Sequence, residues 1–291
     1  MTLAFPASLR DTLLTALAPL IWGSTYWVTS QWLPPDRPFT AALLRVLPAG
    51  LLLLGWTRCW PARASWGRLL GVSVLNIGVF QALLFVAAYR LPGGVAAILG
   101  ATQPLMVLGW VWLLEQRRPR WPVALAAWLG VGGMATLLYA PGTAWDGVGV
   151  AAAAGGAAAM ALGSYLTQRW QGVGLPVLAL TGWQLTLGGL CLLPLAGWLE
   201  PALPPLSVGQ GLAYGYLSLC GALLAYALWF RGIRRLPAVA VSSLGLLSPL
   251  CAALLGAYWL GQTLHGWALC GWLVTLGSVL AVQLASRSTR G

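Results

Sequence analysis

Apolar runs of roughly twenty residues, each closed by Arg, Asp, Glu or Pro, follow one another along almost the whole chain. A helix that crosses about 30 Å of hydrocarbon needs about 20 such residues, each adding about 1.5 Å of rise. The pattern predicts ten spanning helices: Thr12–Leu33, Phe39–Trp56, Leu69–Tyr89, Gly93–Leu114, Trp121–Tyr139, Gly147–Gln168, Pro176–Leu199, Gly209–Phe230, Pro237–Leu260 and Leu264–Ala285. No charged residue falls between Arg235 and Arg287, so the last two spans are divided at the turn-forming Gly261-Gln262-Thr263. Other connections are short, as at Arg90-Leu91-Pro92 and from Glu115 to Arg120, and leave no extramembrane domain.

Composition turns this pattern into an exclusion. Of 291 residues, 59% are hydrophobic and 7% charged, against roughly 45–50% and about 25% in soluble domains. Lipid must therefore solvate most of the surface. The net charge of +11 comes from 16 basic residues, all of them Arg, and their placement excludes a nucleic-acid face. Thirteen fall on one side of the alternating loops, only Arg37 and Arg90 on the other, and Arg45 lies inside the second span. Cytoplasmic loops carry the basic excess, so both termini are expected in the cytoplasm and the Pro141–Asp146 connection outside. The chain is expected in the cytoplasmic (inner) membrane, with its first apolar run retained as a span. Five cysteines without CxxC spacing give neither a disulfide framework nor a zinc site and read as small packing residues.

The chain repeats itself. At an offset of 145, Phe85, Arg90, Leu91, Pro92, Gly100, Pro104 and Leu105 match Phe230, Arg235, Leu236, Pro237, Gly245, Pro249 and Leu250. Gly23-Ser24 also matches Gly163-Ser164, and Leu129-Gly130 matches Leu276-Gly277. The halves are residues 1–146 and 147–291, with five spans each. Five is odd, so the second copy enters the membrane from the opposite side, an inverted-topology repeat. The expected fold is an all-α membrane protein of ten transmembrane helices, two five-helix inverted repeats around a central cavity. Pro104 and Pro249, each near a span centre, are expected to kink their helices beside that cavity.

Trp22-Gly23-Ser24, Arg45, the two Arg-Leu-Pro entries, the paired prolines and the five-plus-five duplication together resemble EamA-type members of the drug/metabolite transporter superfamily. The likeness covers nearly the full chain and is greatest to the YddG-type exporters of aromatic amino acids. It implies a basket of ten helices around a substrate cavity, and export. Glu115 and Gly261-Gln262 keep only parts of a Gly-Glu pattern common in the family, and no role is carried over to them.

The polar inventory narrows the chemistry. Asp11, Asp36, Glu115, Asp146 and Glu200 map to span ends or loops, and His265 to a turn. A carboxylate pair, a metal cluster or a nucleophilic triad has no buried material to form from, so neither enzyme nor metal nor cofactor is expected. Arg45 either snorkels to the headgroups, about 9 Å away at 1.5 Å per residue, or pairs structurally with backbone carbonyls; the functional reading is that it attracts a substrate carboxylate from the outer vestibule. Gln184 holds the corresponding place in the second half.

The cavity candidates are neutral. The first half offers Trp22, Tyr26, Asn76, Phe80, Gln81 and Gln103. Ser164, Tyr165, Tyr214, Ser242 and Ser243 come from the second. Polar groups facing lipid are costly, so these faces should turn inward. Aromatic walls with amides and hydroxyls suit a neutral or zwitterionic metabolite, an aromatic amino acid foremost, carried by alternating access. The lack of a buried carboxylate favours facilitated diffusion over proton coupling. A passive channel, or transport of a drug, nucleoside or vitamin, is the alternative. The expected partners are the substrate and the bilayer, for a monomer or alternatively a dimer. Trp32, Trp56, Trp60, Trp66, Trp121, Trp145, Trp170 and Trp198 fall near span ends and read as an interfacial belt.

Overall fold

Local polar groups decide where the helices start and stop. The computed structural model describes residues 7–91, 99–116, 118–138, 146–259 and 266–287. Asp146 opens Gly147–Arg169 by accepting the Gly149 N–H at 2.6 Å. Ser207 and Gln210 cap Val208–Ser218 reciprocally, at 3.2 and 2.9 Å. Glu200, remote in sequence, sets both carboxylate oxygens on the first-turn N–H groups of Phe39 and Thr40, at 2.5 and 2.8 Å. Those N–H groups have no partner within the helix, and the helix dipole favours an anion there. Left-handed residues end two helices, Arg58 at φ 46° and Gln116 at φ 55°.

All described regular structure is helical. The first half holds α1 (Ala7–Gly23), α2 (Thr25–Trp32), α3 (Pro38–Thr57), α4 (Trp66–Ser73), α5 (Phe80–Arg90), α6 (Gln103–Glu115) and α7 (Trp121–Leu138). The second holds α8 (Gly147–Arg169), α9 (Val177–Leu199), α10 (Val208–Ser218), α11 (Ala225–Arg235), α12 (Ala238–Leu244), α13 (Leu247–Trp259) and α14 (Trp267–Arg287). Among the described residues six stretches are long and apolar enough to cross a membrane: Pro38–Thr57, Arg63–Ala87, Gly147–Arg169, Val177–Leu199, Val208–Arg235 and Trp267–Ala285. They coincide with expected spans two, three, six, seven, eight and ten. Trp121–Leu137 is a shorter apolar helix at the fifth, and Ala238–Cys251 a shorter apolar stretch, interrupted at Gly245-Leu246, at the ninth. The first expected span is divided at Ser24, whose hydroxyl donates to Ile21 O at 2.8 Å and lies 2.6 Å from Tyr216 Oη. The expected turn at Gly261–Thr263, the Pro141–Trp145 part of the connection that ends at Asp146, Pro92 and His265 lie outside the described residues.

The paired prolines do not kink continuous helices. Turns at Ala101-Thr102 and Gly245-Leu246 break the fourth and ninth segments, and Pro104 and Pro249 sit in the first turns of α6 and α13. A first-turn residue needs no N–H donor, so proline fits there without losing a hydrogen bond. Prolines inside helices are instead Pro19, Pro48 and Pro194.

Two π-helical turns interrupt the long helices at matching places. Val74–Val79 joins α4 to α5, and Leu219–Leu224 joins α10 to α11, 145 residues later. Packing follows the same correspondence. α3 lies along α9 and α7 along α14; α5 against α8 is matched by α11 against α1, and α6 against α8 by α13 against α1.

These contacts depend on close backbone approach, the usual means of helix association in lipid. A Cβ on Gly133 would lie 2.6 Å from Thr275 Oγ1 and 2.8 Å from Thr275 N. Backbone cannot yield as a flexible side chain can, so Gly133→Val should separate α7 from α14. Loss of monodisperse protein in detergent is the expected result; a parental melting temperature would contradict the packing. Outside, the bundle is apolar, with Leu51, Leu52, Leu212 and Leu284 exposed. Trp56, Trp60, Trp121, Trp198 and Trp267 are strongly exposed near helix ends, as an interfacial belt requires.

Candidate functional site

A cavity of about 390 Å³ lies within the bundle, reaching from Leu33, Pro34, Pro35 and Tyr89 down to Met160 and Pro249. That volume accommodates one small molecule. Both helix breaks face it, through Gly100, Ala101 and Gln103 on one side and Gly245, Leu246 and Ser248 on the other. The remaining wall comes mainly from α1, α2, α3, α5, α8 and α11.

One side of the cavity is aromatic. Trp22 meets Tyr226 and Trp229 with ring centroids 5.0 and 5.2 Å apart, and Phe80 also lines the space. Behind them Phe230 stacks on Tyr226 at 5.7 Å, and Gln81 donates to Tyr226 Oη at 2.8 Å. The π-helical turn at Leu219–Leu224 supplies the organising group. Such a turn breaks the regular helical hydrogen-bond register, and Gly221 O accepts from Trp22 Nε1 at 2.8 Å and from Arg45 Nη2 at 3.3 Å. Arg45 is only 3% exposed and lines the cavity, so it does not snorkel; of the structural alternatives the pairing with a backbone carbonyl is the one observed. The same interhelical bond that holds it inward ties α3 to the span carrying the π-turn.

Further polar atoms on this wall are buried. Thr25 Oγ1, Thr29 Oγ1, Gln103 Nε2 and Trp229 Nε1 have no hydrogen-bond partner among the described residues. Every one of them carries a hydrogen to donate.

The structure divides the sequence's candidates. Trp22, Phe80 and Gln103 line the cavity, as does Pro249. Gln81 stands behind Tyr226. Asn76 belongs elsewhere: its amide donates to Gln184 Oε1 at 2.7 Å and Thr167 Oγ1 at 3.0 Å, in a cluster sealed from solvent. Tyr165 is also corrected. It lies one turn before the end of α8, where its hydroxyl donates to Glu115 Oε1 at 2.9 Å and accepts from Arg169 Nη1 at 3.0 Å. Ser242 and Ser243 turn back onto Val239 O and Ala240 O, both at 2.9 Å, within α12. Ser164 and Tyr214 are buried away from the cavity lining, as is Pro104. The side chain of Tyr26 lies outside the described residues.

Tyr226, Trp229 and Ser248 were missed. The repeat held a signal for two of them, because the 145 offset carries Gln81 onto Tyr226 and Gln103 onto Ser248. Trp229 then follows Tyr226 on the same helix face. Among the described residues no three His, Cys, Asp or Glu side chains gather as metal ligands.

Ion pairs close the start of each half. Asp11 Oδ1 accepts from Arg231 Nη2 at 2.5 Å and Arg235 Nη1 at 3.4 Å, joining α1 to α11. Arg90 Nη1 approaches Asp146 Oδ2 at 3.5 Å, joining α5 to the start of α8.

A lipid-facing helical bundle around an aromatic-walled cavity defines a multi-pass membrane protein built to hold a small molecule. The chain belongs to the EamA-like transporter family, which matches it twice, over residues 11–139 and 147–284. The EamA-type resemblance of the sequence is therefore shown, and the protein is a membrane transporter of the drug/metabolite superfamily.

The chain is 43% identical to Protein PecM of Dickeya dadantii (strain 3937) over 275 residues, covering 94% of this chain and 92% of that protein. It is 31% identical over 281 residues to the uncharacterized inner membrane transporter YedA of Escherichia coli (strain K12), covering 90% and 89%. A WAT1-related chloroplastic protein of Arabidopsis thaliana is 27% identical over 279 residues, covering 90% of this chain and 66% of that protein. A solved crystal structure shares the fold with a TM-score of 0.79 at 21% identity, covering 97% and 99% of the two chains.

Proposed function

We propose that this protein exports small neutral or zwitterionic metabolites, aromatic amino acids foremost, across the cytoplasmic membrane by alternating access. The observation that carries the reading is the cavity itself: three aromatic rings and a set of buried polar donors meet where both broken helices converge. An apolar ring fits the first and a polar head the second. Export rests on the resemblance to the YddG-type carriers.

Alternating access rests on the repeat. Residues 1–146 and 147–291 are read as inverted five-span copies in a ten-span bundle with both termini cytoplasmic. The double family match, the π-turns 145 residues apart and the exchanged helix pairings support that reading. In this orientation the Leu33–Pro35 end of the cavity lies toward the outside, and the sealed Asn76–Gln184–Thr167 cluster lies toward the inside. Rocking of the copies would exchange the open and closed ends. Broken helices meeting at a midplane site are a recurring feature of such carriers.

Radiolabelled uptake into proteoliposomes, with amino acids, nucleosides and polyamines offered in turn, tests the function. Saturable countertransport of tryptophan or phenylalanine is expected. Strong transport of spermidine with neither amino acid transported would overturn the reading, because the described lining residues offer a polycation no carboxylate. Flux that fails to saturate or to counterexchange would indicate a channel.

A further inference from the structure

We propose that the cavity recognises its substrate by a carboxylate, bound by Arg45, and that the substrate's amine is dispensable. The inference rests on the transporter reading above; it keeps the ring-bearing amino acids and extends the substrate class to ring-bearing monocarboxylate anions that lack the α-amino group.

Charge is the first argument. Arg45 lines the cavity at 3% exposure, and no Asp or Glu is among the described lining residues. An amine without a carboxylate would lose its hydration in this space without gaining a countercharge, whereas a carboxylate, alone or beside the ammonium of an amino acid, would gain one. The guanidinium carries five N–H donors in a planar fork matched to a carboxylate. Its bond to Gly221 O fixes the side chain at the wall, so little conformational freedom is lost when an anion binds.

The second argument is the sense of the neighbouring hydrogen-bonding groups. Thr25 Oγ1, Thr29 Oγ1, Gln103 Nε2 and Trp229 Nε1 are buried on the lining without a partner among the described residues. An indole or amide N–H only donates, and a hydroxyl can donate. A buried donor without an acceptor is costly, so the Gln103 and Trp229 N–H groups favour a ligand that brings acceptors, and the two hydroxyls can donate to the same group. An ionised carboxylate offers acceptor sites alone.

Position completes the case. Arg45 and Trp22 share the Gly221 carbonyl as their acceptor, and Trp22 in turn meets Tyr226 and Trp229. Cation and rings are therefore neighbours, within reach of one small molecule. The corresponding second-half residue, Gln184, is neutral and bonded to Asn76 away from the cavity. Recognition of the anion is thus built into one half only.

Four ligands that differ in one group form the test: 3-phenylpropanoate, phenylalanine, phenethylamine and 3-phenylpropanol. Each is titrated calorimetrically into the purified full chain in detergent, and each is offered as a competitor of uptake in proteoliposomes. The two carboxylates should bind at least about tenfold more tightly than the amine and the alcohol. Arg45→Gln should weaken both carboxylates by about 10- to 100-fold, and Arg45→Lys, a point charge without the fork, by less. Amine binding as tight as carboxylate binding overturns the proposal. So does parental carboxylate affinity in a monodisperse Arg45→Gln protein. In either case aromatic ligands still bind, and the transporter reading stands. Failure of all four ligands to bind the parent would remove both. If Arg45→Gln does not fold, the ligand series on the parent decides alone.

Discussion

Asp11→Asn is expected to destabilise the protein by about 2–4 kcal/mol, whereas Arg90→Gln should change stability by less than about 1 kcal/mol. The two ion pairs occupy corresponding places in the halves but differ in burial. Side-chain exposure is 12% for Asp11 and 21% for Arg231, against 50% for Arg90 and 40% for Asp146. Removing the Asp11 charge strands a guanidinium in a partly dry site, and that uncompensated charge is the main source of the loss. The Arg90 pair is solvated and loses only a screened attraction. Asp11 also ties α1 to α11 at the end of the bundle remote from Leu33–Pro35. Its loss should therefore favour opening at that end and raise accessibility there as well as lower the melting temperature. Thermal unfolding of both variants in the same detergent is the measurement. Equal shifts, or a larger one for Arg90→Gln, would show that burial does not set the strength of these pairs.

Trp229→Ala is expected to cost about 3–5 kcal/mol and to abolish transport. Trp229 is 1% exposed, packs against Trp22 at 5.2 Å and contributes to the cavity wall. Truncation removes the ring that supports Trp22 and leaves a void that helices closed by tight glycine contacts cannot fill by collapse. Trp229→Phe separates the two effects. It retains most of the ring contact and should keep a near-parental melting temperature, but it lacks the indole N–H and should weaken binding of an acceptor-bearing substrate. A Trp229→Ala protein that transports at the parental rate would remove Trp229 from the site. Parental affinity in Trp229→Phe would deny the N–H a role while leaving the ring its packing function.

Part of the site was legible in the sequence because aromatic and amide residues are conspicuous in an apolar helix. Trp22, Phe80 and Gln103 carry that signal and line the cavity. Asn76 carries the same signal and was placed among them, yet its amide is consumed by Gln184 and Thr167. An amide must avoid lipid whether it faces a cavity or a neighbouring helix, so its presence cannot distinguish the two. Ser242 and Ser243 erred for a related reason, since a helical serine can satisfy itself on a carbonyl one turn back. Tyr165 was drawn away by Glu115 and Arg169, partners that come together only when α6 packs on α8.

Composition and residue order alone make this a chain surrounded by lipid, place matching residues 145 positions apart, and leave any buried chemistry almost without carboxylates. Those properties follow from composition and order, which no packing can alter. Tertiary structure alone decided that Arg45 turns inward, that Pro104 and Pro249 begin helices, and that one carbonyl in a π-helical turn gathers Trp22 and Arg45 at the cavity. In a membrane helix the lipid face and the packed face are both apolar, so periodicity does not say which side meets a partner. The arrangement is chosen by close contacts between residues far apart in the chain, such as Gly133 on Thr275, and a linear pattern carries no record of them.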